Sequence, residues 1–157
     1  MAIYIAAAIL IIALDQISKL LAVSFLSLGE VENIIPKVLS FTYVENRGAA
    51  FGILQGARVF FIVITILVFI GAIYYIVKMR PASLLEKWAL CFIGGGALGN
   101  FIDRAVLGYV RDFIMVEFID FPVFNIADCF VCLGAGLYIL YAFSDIFSKK
   151  EAGQDND

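Results

Sequence analysis

In the stretch IYIAAAILIIALDQISKLLAVSFL, residues 3–26, Asp15 and Lys19 interrupt an apolar run long enough to cross a bilayer. About 20 apolar residues, each rising ~1.5 Å, cover a hydrocarbon core of ~30 Å. Three more stretches qualify by the same measure: VFFIVITILVFIGAIYYIV (59–77), WALCFIGGGALGNFIDRA (88–105) and FNIADCFVCLGAGLYILYAFSDIF (124–147). The first has neither a basic leader nor a small-residue cleavage site, and its apolar run carries charge. It is therefore read as a helix of the mature protein and not as a secretory signal. The composition agrees, with 63% hydrophobic and 16% charged residues in 157. A soluble domain keeps about a quarter of its residues charged. The fold class expected is an all-α membrane protein, a single domain over residues 1–157 with four transmembrane helices.

Four spans put both ends of the chain on one side. The short segment between the second and third spans carries Lys78, Arg80 and Lys87, and the tail adds Lys149 and Lys150. The opposite side has Lys37, Arg47, Arg58, Arg104 and Arg111, spread over longer loops. The density of positive charge places the termini in the cytoplasm. Residues 148–157 read as a polar cytoplasmic tail, disordered from Glu151 on.

The outer loops carry structure of their own. Leu39-Ser40-Phe41-Thr42-Tyr43-Val44 alternates apolar and polar residues as a half-buried strand does. Asn46-Arg47-Gly48 signals a turn, after which residues 49–54 can return as a second strand. Tyr109 to Val116 reads as another strand. A small extracytoplasmic β-sheet on the outer membrane surface is expected.

Ionisable groups inside a span are costly and mark function by default. Asp15 and Lys19 share a helical face and can pair. They either fix helix packing as a buried ion pair or wall a substrate cavity. Gly94-Gly95-Gly96-Ala97-Leu98-Gly99-Asn100 lets a neighbour approach closely. Asn100, Asp103 and Arg104 follow on one face, and Asp103 with Arg104 reads as an interfacial charge pair. Asn125 suits a helix N-cap, which puts Asp128 in the first turn, at the positive end of the helix dipole.

The chemistry left open by the composition is narrow. There is no histidine, so His-based triads, His metal ligands and imidazole bases are excluded. Cys91, Cys129 and Cys132 lie in apolar stretches, and the Cys129–Cys132 pair has no further ligands for zinc, so all three are read as packing residues. The net charge of −3 with scattered basic residues offers no nucleic-acid footprint. A Ser–Lys dyad fails on alignment, since Ser18 points away from Lys19 and Ser24 is five residues on. Paired carboxylates remain, one ionised to take a proton from water and one protonated to donate. From the residues alone Asp103, Asp112, Glu117, Asp120 and Asp128 all stand as candidates. A small transporter is a rival, but the stretch 59–77 offers only Thr65, Tyr74 and Tyr75 as polar side chains for a path across. A purely structural adaptor would not need acids beside so many amides.

Five elements, in order, resemble lipoprotein signal peptidases (signal peptidase II). They are Asp15-Gln16-Ile17-Ser18-Lys19, Asn46-Arg47-Gly48-Ala49-Ala50-Phe51-Gly52, the run from Gly95 to Arg104, Val110-Arg111-Asp112-Phe113, and Phe124-Asn125-Ile126-Ala127-Asp128. The resemblance implies an intramembrane aspartic endopeptidase that cuts the signal peptide from diacylglyceryl-modified prolipoproteins, on the N-terminal side of the lipidated cysteine. It implies Asp112 and Asp128 as the catalytic dyad. Asn46, Gly48, Asn100, Asp103, Arg104, Asn125, Asp15 and Lys19 become substrate-binding or supporting residues, with no metal or cofactor. It further implies a monomer in the bacterial plasma membrane, with the active site toward the outer face; the loop Asn46–Gly52, with its glycines, is read as a lid. Its partners would be lipidated prolipoproteins and membrane lipids, not nucleic acid.

Overall fold

A computed structural model describes residues 2–49 and 53–154. Along the chain run α1 (Ala2–Phe25), β1 (Val31–Ile35), β2 (Leu39–Asn46), α2 (Arg58–Met79), α3 (Leu84–Val106), β3 (Val110–Val116) and α4 (Ile126–Gln154). No proline or glycine interrupts α1. α2 closes at Arg80, whose left-handed backbone (φ 50°) lets its N–H reach the Ile76 carbonyl at 3.1 Å. Pro81 then prevents further helix. The last helix runs on to Gln154, where a polar tail disordered from Glu151 was expected; residues 155–157 lie outside the described residues.

Among the described residues three helices are long and apolar enough to cross a membrane: Ala2–Phe25, Arg58–Met79 and Ile126–Phe147. Their outward side chains are large and bare, as with Val59, Leu67 and Ile73. In water this surface would be one continuous apolar patch, so hydrocarbon is its solvent. α3 is 23 residues long but is not among the three, which differs from the four spans expected. The reason is its composition. Glu86, Asn100, Asp103 and Arg104 share it with seven glycine and alanine positions, and α3 packs between α1 and α4 with α2 along its flank.

The glycines let α3 lie close to its neighbours. A Cβ on Gly96 would run into the carbonyl oxygen of Ala127 and come within 2.8 Å of Val131 Cγ2. Since the obstacle is backbone, Gly96→Ala is expected to push away the start of α4 and cost about 1–3 kcal/mol. A lowered Tm in detergent checks this. An unchanged Tm would show that the helices have slack.

The sheet is antiparallel with order β1-β2-β3. Leu39 lies opposite Val116, Val44 opposite Asp112 and Asn46 opposite Val110, with an irregularity between Phe41 and Val44. Of the strand expected over residues 49–54, the described residues are a bend at Ala49 and a turn at Ile53 and Leu54. β2 already has β1 on one edge and β3 on the other, so no edge is free to receive it. Instead Ala49 N–H bonds the Ile53 carbonyl at 2.8 Å and Gly56 N–H bonds the Arg47 carbonyl at 3.0 Å, closing a loop. Residues 50–52, the middle of the expected lid, lie outside the described residues.

Candidate active site

Alternation along β3 sorts its two charged residues. Successive side chains of a strand point to opposite faces, so Arg111 turns into the helices while Asp112 turns into a cavity. Arg111 meets Asp103 of α3 through its backbone N–H (3.0 Å), Nε (3.1 Å) and Nη2 (2.7 Å). Asp103 is thus the partner of Arg111, and of Lys19 at 3.5 Å; the expected pairing of Asp103 with Arg104 is replaced. Arg104 lies on the other side of α3. It donates to the Gly48 carbonyl at 3.1 Å and stacks over Phe61 at 4.8 Å.

Behind the cavity sits a closed ionic core. Lys19 and Asp15 are fully buried and pair at 2.9 Å. Asp15 also accepts the Ala127 N–H at 3.0 Å, where the exposed N–H groups and dipole of α4 favour a negative charge. Gln16 joins the halves: it donates to Asp15 (3.1 Å) and Asp103 (3.2 Å) and accepts from Arg111 (2.9 Å). Two carboxylates against two cations balance, which is the condition for keeping buried charge. Among the described residues no buried side-chain polar atom lacks a partner. Asp15, Lys19 and Asp103 do not line the cavity, so Asp15 and Lys19 back the polar wall and do not form its surface.

Two amides carry this core forward to the carboxylates in front. Asn100 Oδ1 accepts from Lys19 at 2.7 Å, which turns its Nδ2 toward Asp128 Oδ1 at 2.8 Å. Asn125 Nδ2 donates to Asn100 Oδ1 (3.1 Å) and to Asp112 Oδ1 (2.5 Å). Asn125 and Asp128 also cap α4 reciprocally: Asp128 N–H bonds Asn125 Oδ1 at 3.1 Å, and Asn125 N–H bonds Asp128 Oδ2 at 3.2 Å. Asn125 is therefore both the N-cap and a link between the two acids. On the far side Asn46 Nδ2 donates to Asp112 Oδ2 at 2.9 Å, and Asn46 Oδ1 takes the Gly48 N–H at 3.0 Å. Gly48 is required there, because a Cβ would lie 2.5 Å from the Ile53 carbonyl oxygen.

The cavity itself holds about 460 Å³. One end is polar, formed by Asn46, Asn100, Arg104, Asp112 and Asp128, and the rest is apolar, with Phe121, Pro122 and Val131 among its walls. Asp112 is 2% exposed. Burial pushes its carboxyl up to about 7, against the pull of the Asn46 and Asn125 donors and with help from the Asp128 charge. An acid that holds its proton near neutrality beside a second carboxylate can exchange protons with water and a bound carbonyl.

The other candidates fall elsewhere. Glu117 bonds Ser40 on the sheet, and Asp120 borders an adjoining recess with Asp112. Ser18 and Ser24 bond carbonyls of their own helix. Cys129 and Cys132 line the cavity, while Cys91 is buried and donates to the Tyr4 carbonyl at 3.2 Å. Sequence reasoning missed Gln16 and Arg111 as parts of the site. Both were legible in principle: Gln16 is an amide inside a span, three residues before Lys19, and Arg111 is the charged neighbour of Asp112 in opposite strand phase.

Comparison with known proteins places the chain. Residues 7–144 match the family model described as signal peptidase (SPase) II. The chain is similar to the lipoprotein signal peptidase of Streptococcus pyogenes strain Manfredo, 47% identical over 132 residues, which is 84% of this chain and 87% of that one. The same-named protein of strain SSI-1 is 46% identical over the same shares. Among solved structures, a bacterial membrane enzyme determined in meso at 2.3 Å superposes with TM-score 0.90 and 37% identity, covering 96% of this chain and 93% of that one. A second, at 1.9 Å, gives TM-score 0.85 and 37% identity, covering 92% and 95%.

Proposed function

The chain belongs to the signal peptidase II family of bacterial membrane proteases, and from that premise we propose that it removes signal peptides from diacylglyceryl-modified prolipoproteins by aspartic catalysis, cutting just before the lipidated cysteine. The observation that carries this reading is one cavity with two carboxylates, Asp112 and Asp128, joined through Asn125 and Asn100.

The scheme follows from the hydrogen bonds. Asp112 holds the proton and donates it to the scissile carbonyl or the leaving amine. Asp128, which accepts from two N–H donors, takes a proton from the attacking water. Lys19 holds Asn100, and Asn100 holds Asp128, so the ionic core positions the base without touching substrate. Asn46 and Arg104 bind the peptide at the polar end of the cavity, and the apolar walls receive the signal-peptide side chains or the lipid. α3 crosses the membrane as a fourth span, its polar face covered by α1 and α4. Both termini are cytoplasmic, the carboxylates lie toward the outer face, and one chain suffices for activity.

The pH dependence tests the proton assignment. The acid must be protonated at the start of each turnover, and the Asp112 carboxyl is held up at about 7. On the alkaline side activity therefore falls as pH rises through that value. With a purified enzyme and a lipidated precursor, kcat/KM should decline on an alkaline limb centred near pH 7. A profile flat from pH 6 to pH 9 would remove Asp112 from the role of acid.

A further inference from the structure

At the end of the bundle away from the carboxylates, α1 and α2 each lean on α3 and leave a second cavity between them. It holds about 550 Å³ and is walled by Ile5 and Ala8 of α1, Ile76 of α2 and Leu90 of α3, a size within the ~300–1,000 Å³ range of small-molecule sites. Nothing in the proposed proteolysis uses it. Its rim carries Arg80 and Lys87. Lys87 Nζ reaches only the Ala82 carbonyl, at 3.0 Å, and among the described residues no acid forms an ion pair with either cation. The nearest acid in sequence, Glu86, is buried and bonded to Tyr75. Among the described residues the rim therefore carries two cations with no ion-paired acid, above apolar walls.

We infer that this groove holds an anionic glycerophospholipid, its phosphate between Arg80 and Lys87 and an acyl chain along Ile5, Ala8, Ile76 and Leu90. Charge complementarity selects the occupant. Basic pockets between membrane helices suit anionic headgroups, and a neutral or zwitterionic lipid would leave the cation pair without a net counter-charge. The left-handed backbone of Arg80, which closes α2, fixes the point from which the guanidinium reaches the rim.

The test is native mass spectrometry of the full chain in detergent, titrated with phosphatidylglycerol or with phosphatidylcholine of the same acyl chains. Two cations at a membrane surface favour the anionic lipid by about 30-fold. The wild type should show that preference, and Arg80→Gln with Lys87→Gln should reduce it to a few-fold. Ala8→Trp, which fills the groove and keeps both charges, should lower phosphatidylglycerol retention at least about tenfold. Equal retention of the two lipids by the wild type would overturn the inference, as would a preference that survives the double substitution. Displacement of the lipid by inorganic phosphate would overturn it too, since the site would then read an ion and not a lipid. Should the tryptophan variant fail to fold, the double substitution decides alone, because both its side chains sit at the rim. The readout is binding, so failure here leaves the peptidase reading untouched.

Discussion

Asp112→Asn and Asp128→Asn should each lower cleavage of a lipidated precursor on the order of 10³-fold or more, with the protein still folded. Each substitution keeps the shape of the side chain and removes the proton chemistry, and acid–base groups contribute about 10²–10⁴-fold apiece. Because the two act as one unit, the double variant should be no slower than either single one. The proton held by Asp112 also separates chemistry from stability. In the wild type its raised carboxyl stabilises the fold less and less as pH climbs from about 4 through about 7, because the folded state binds the extra proton. Asparagine carries no such dependence. Asp112→Asn should therefore be inactive yet have a Tm at pH 8 equal to or above that of the wild type. A variant that loses activity only because it unfolds would contradict this.

The second large effect belongs to Asp103, which sits behind the cavity. Asp103→Ala leaves the buried Arg111 without its carboxylate and takes one of two acids from Lys19. Breaking a buried pair on one side costs about 3–5 kcal/mol, since the remaining charge stays in a medium that solvates it poorly. The expected result is a sharply lowered Tm in detergent and poor recovery of folded protein. Removing the stranded charge as well, in Asp103→Ala with Arg111→Leu, should recover part of the loss, although Gln16 then also lacks a partner. A single Asp103→Ala as stable as the wild type would mean that water reaches this core.

The helices α1, α2 and α4 were legible because each is written as an apolar run, and the strands β2 and β3 because Ser40, Thr42 and Asp112 break apolar neighbours at strand period. The strand β1 was not. Its five residues Val31-Glu32-Asn33-Ile34-Ile35 are all exposed, so no buried face imposes a pattern, and the strand exists because the edge of β2 is there to bind it. Conversely, residues 49–54 look like strand, yet both edges of β2 are taken and the described Ala49, Ile53 and Leu54 lie in a bend and a turn. Asp103 and Arg104 illustrate a different limit. Adjacent residues on a helix point about 100° apart, and nothing in the sequence says which one faces Arg111, a partner brought back by the turn at Gly108 (φ 89°). The carboxylates were legible as a group of five. Only the resemblance singled out Asp112 and Asp128, and the shared cavity with its amide links is what now distinguishes them from Glu117 on the sheet.

The central claim, that this cavity cuts a lipidated precursor, is tested most directly by the mass of the product. Purified wild type is incubated with a diacylglyceryl-modified prolipoprotein and with the same precursor lacking the lipid. The expected product begins at the lipidated cysteine, and the unlipidated precursor stays intact. A folded wild type that leaves the lipidated precursor whole, or cuts it elsewhere, would contradict the claim.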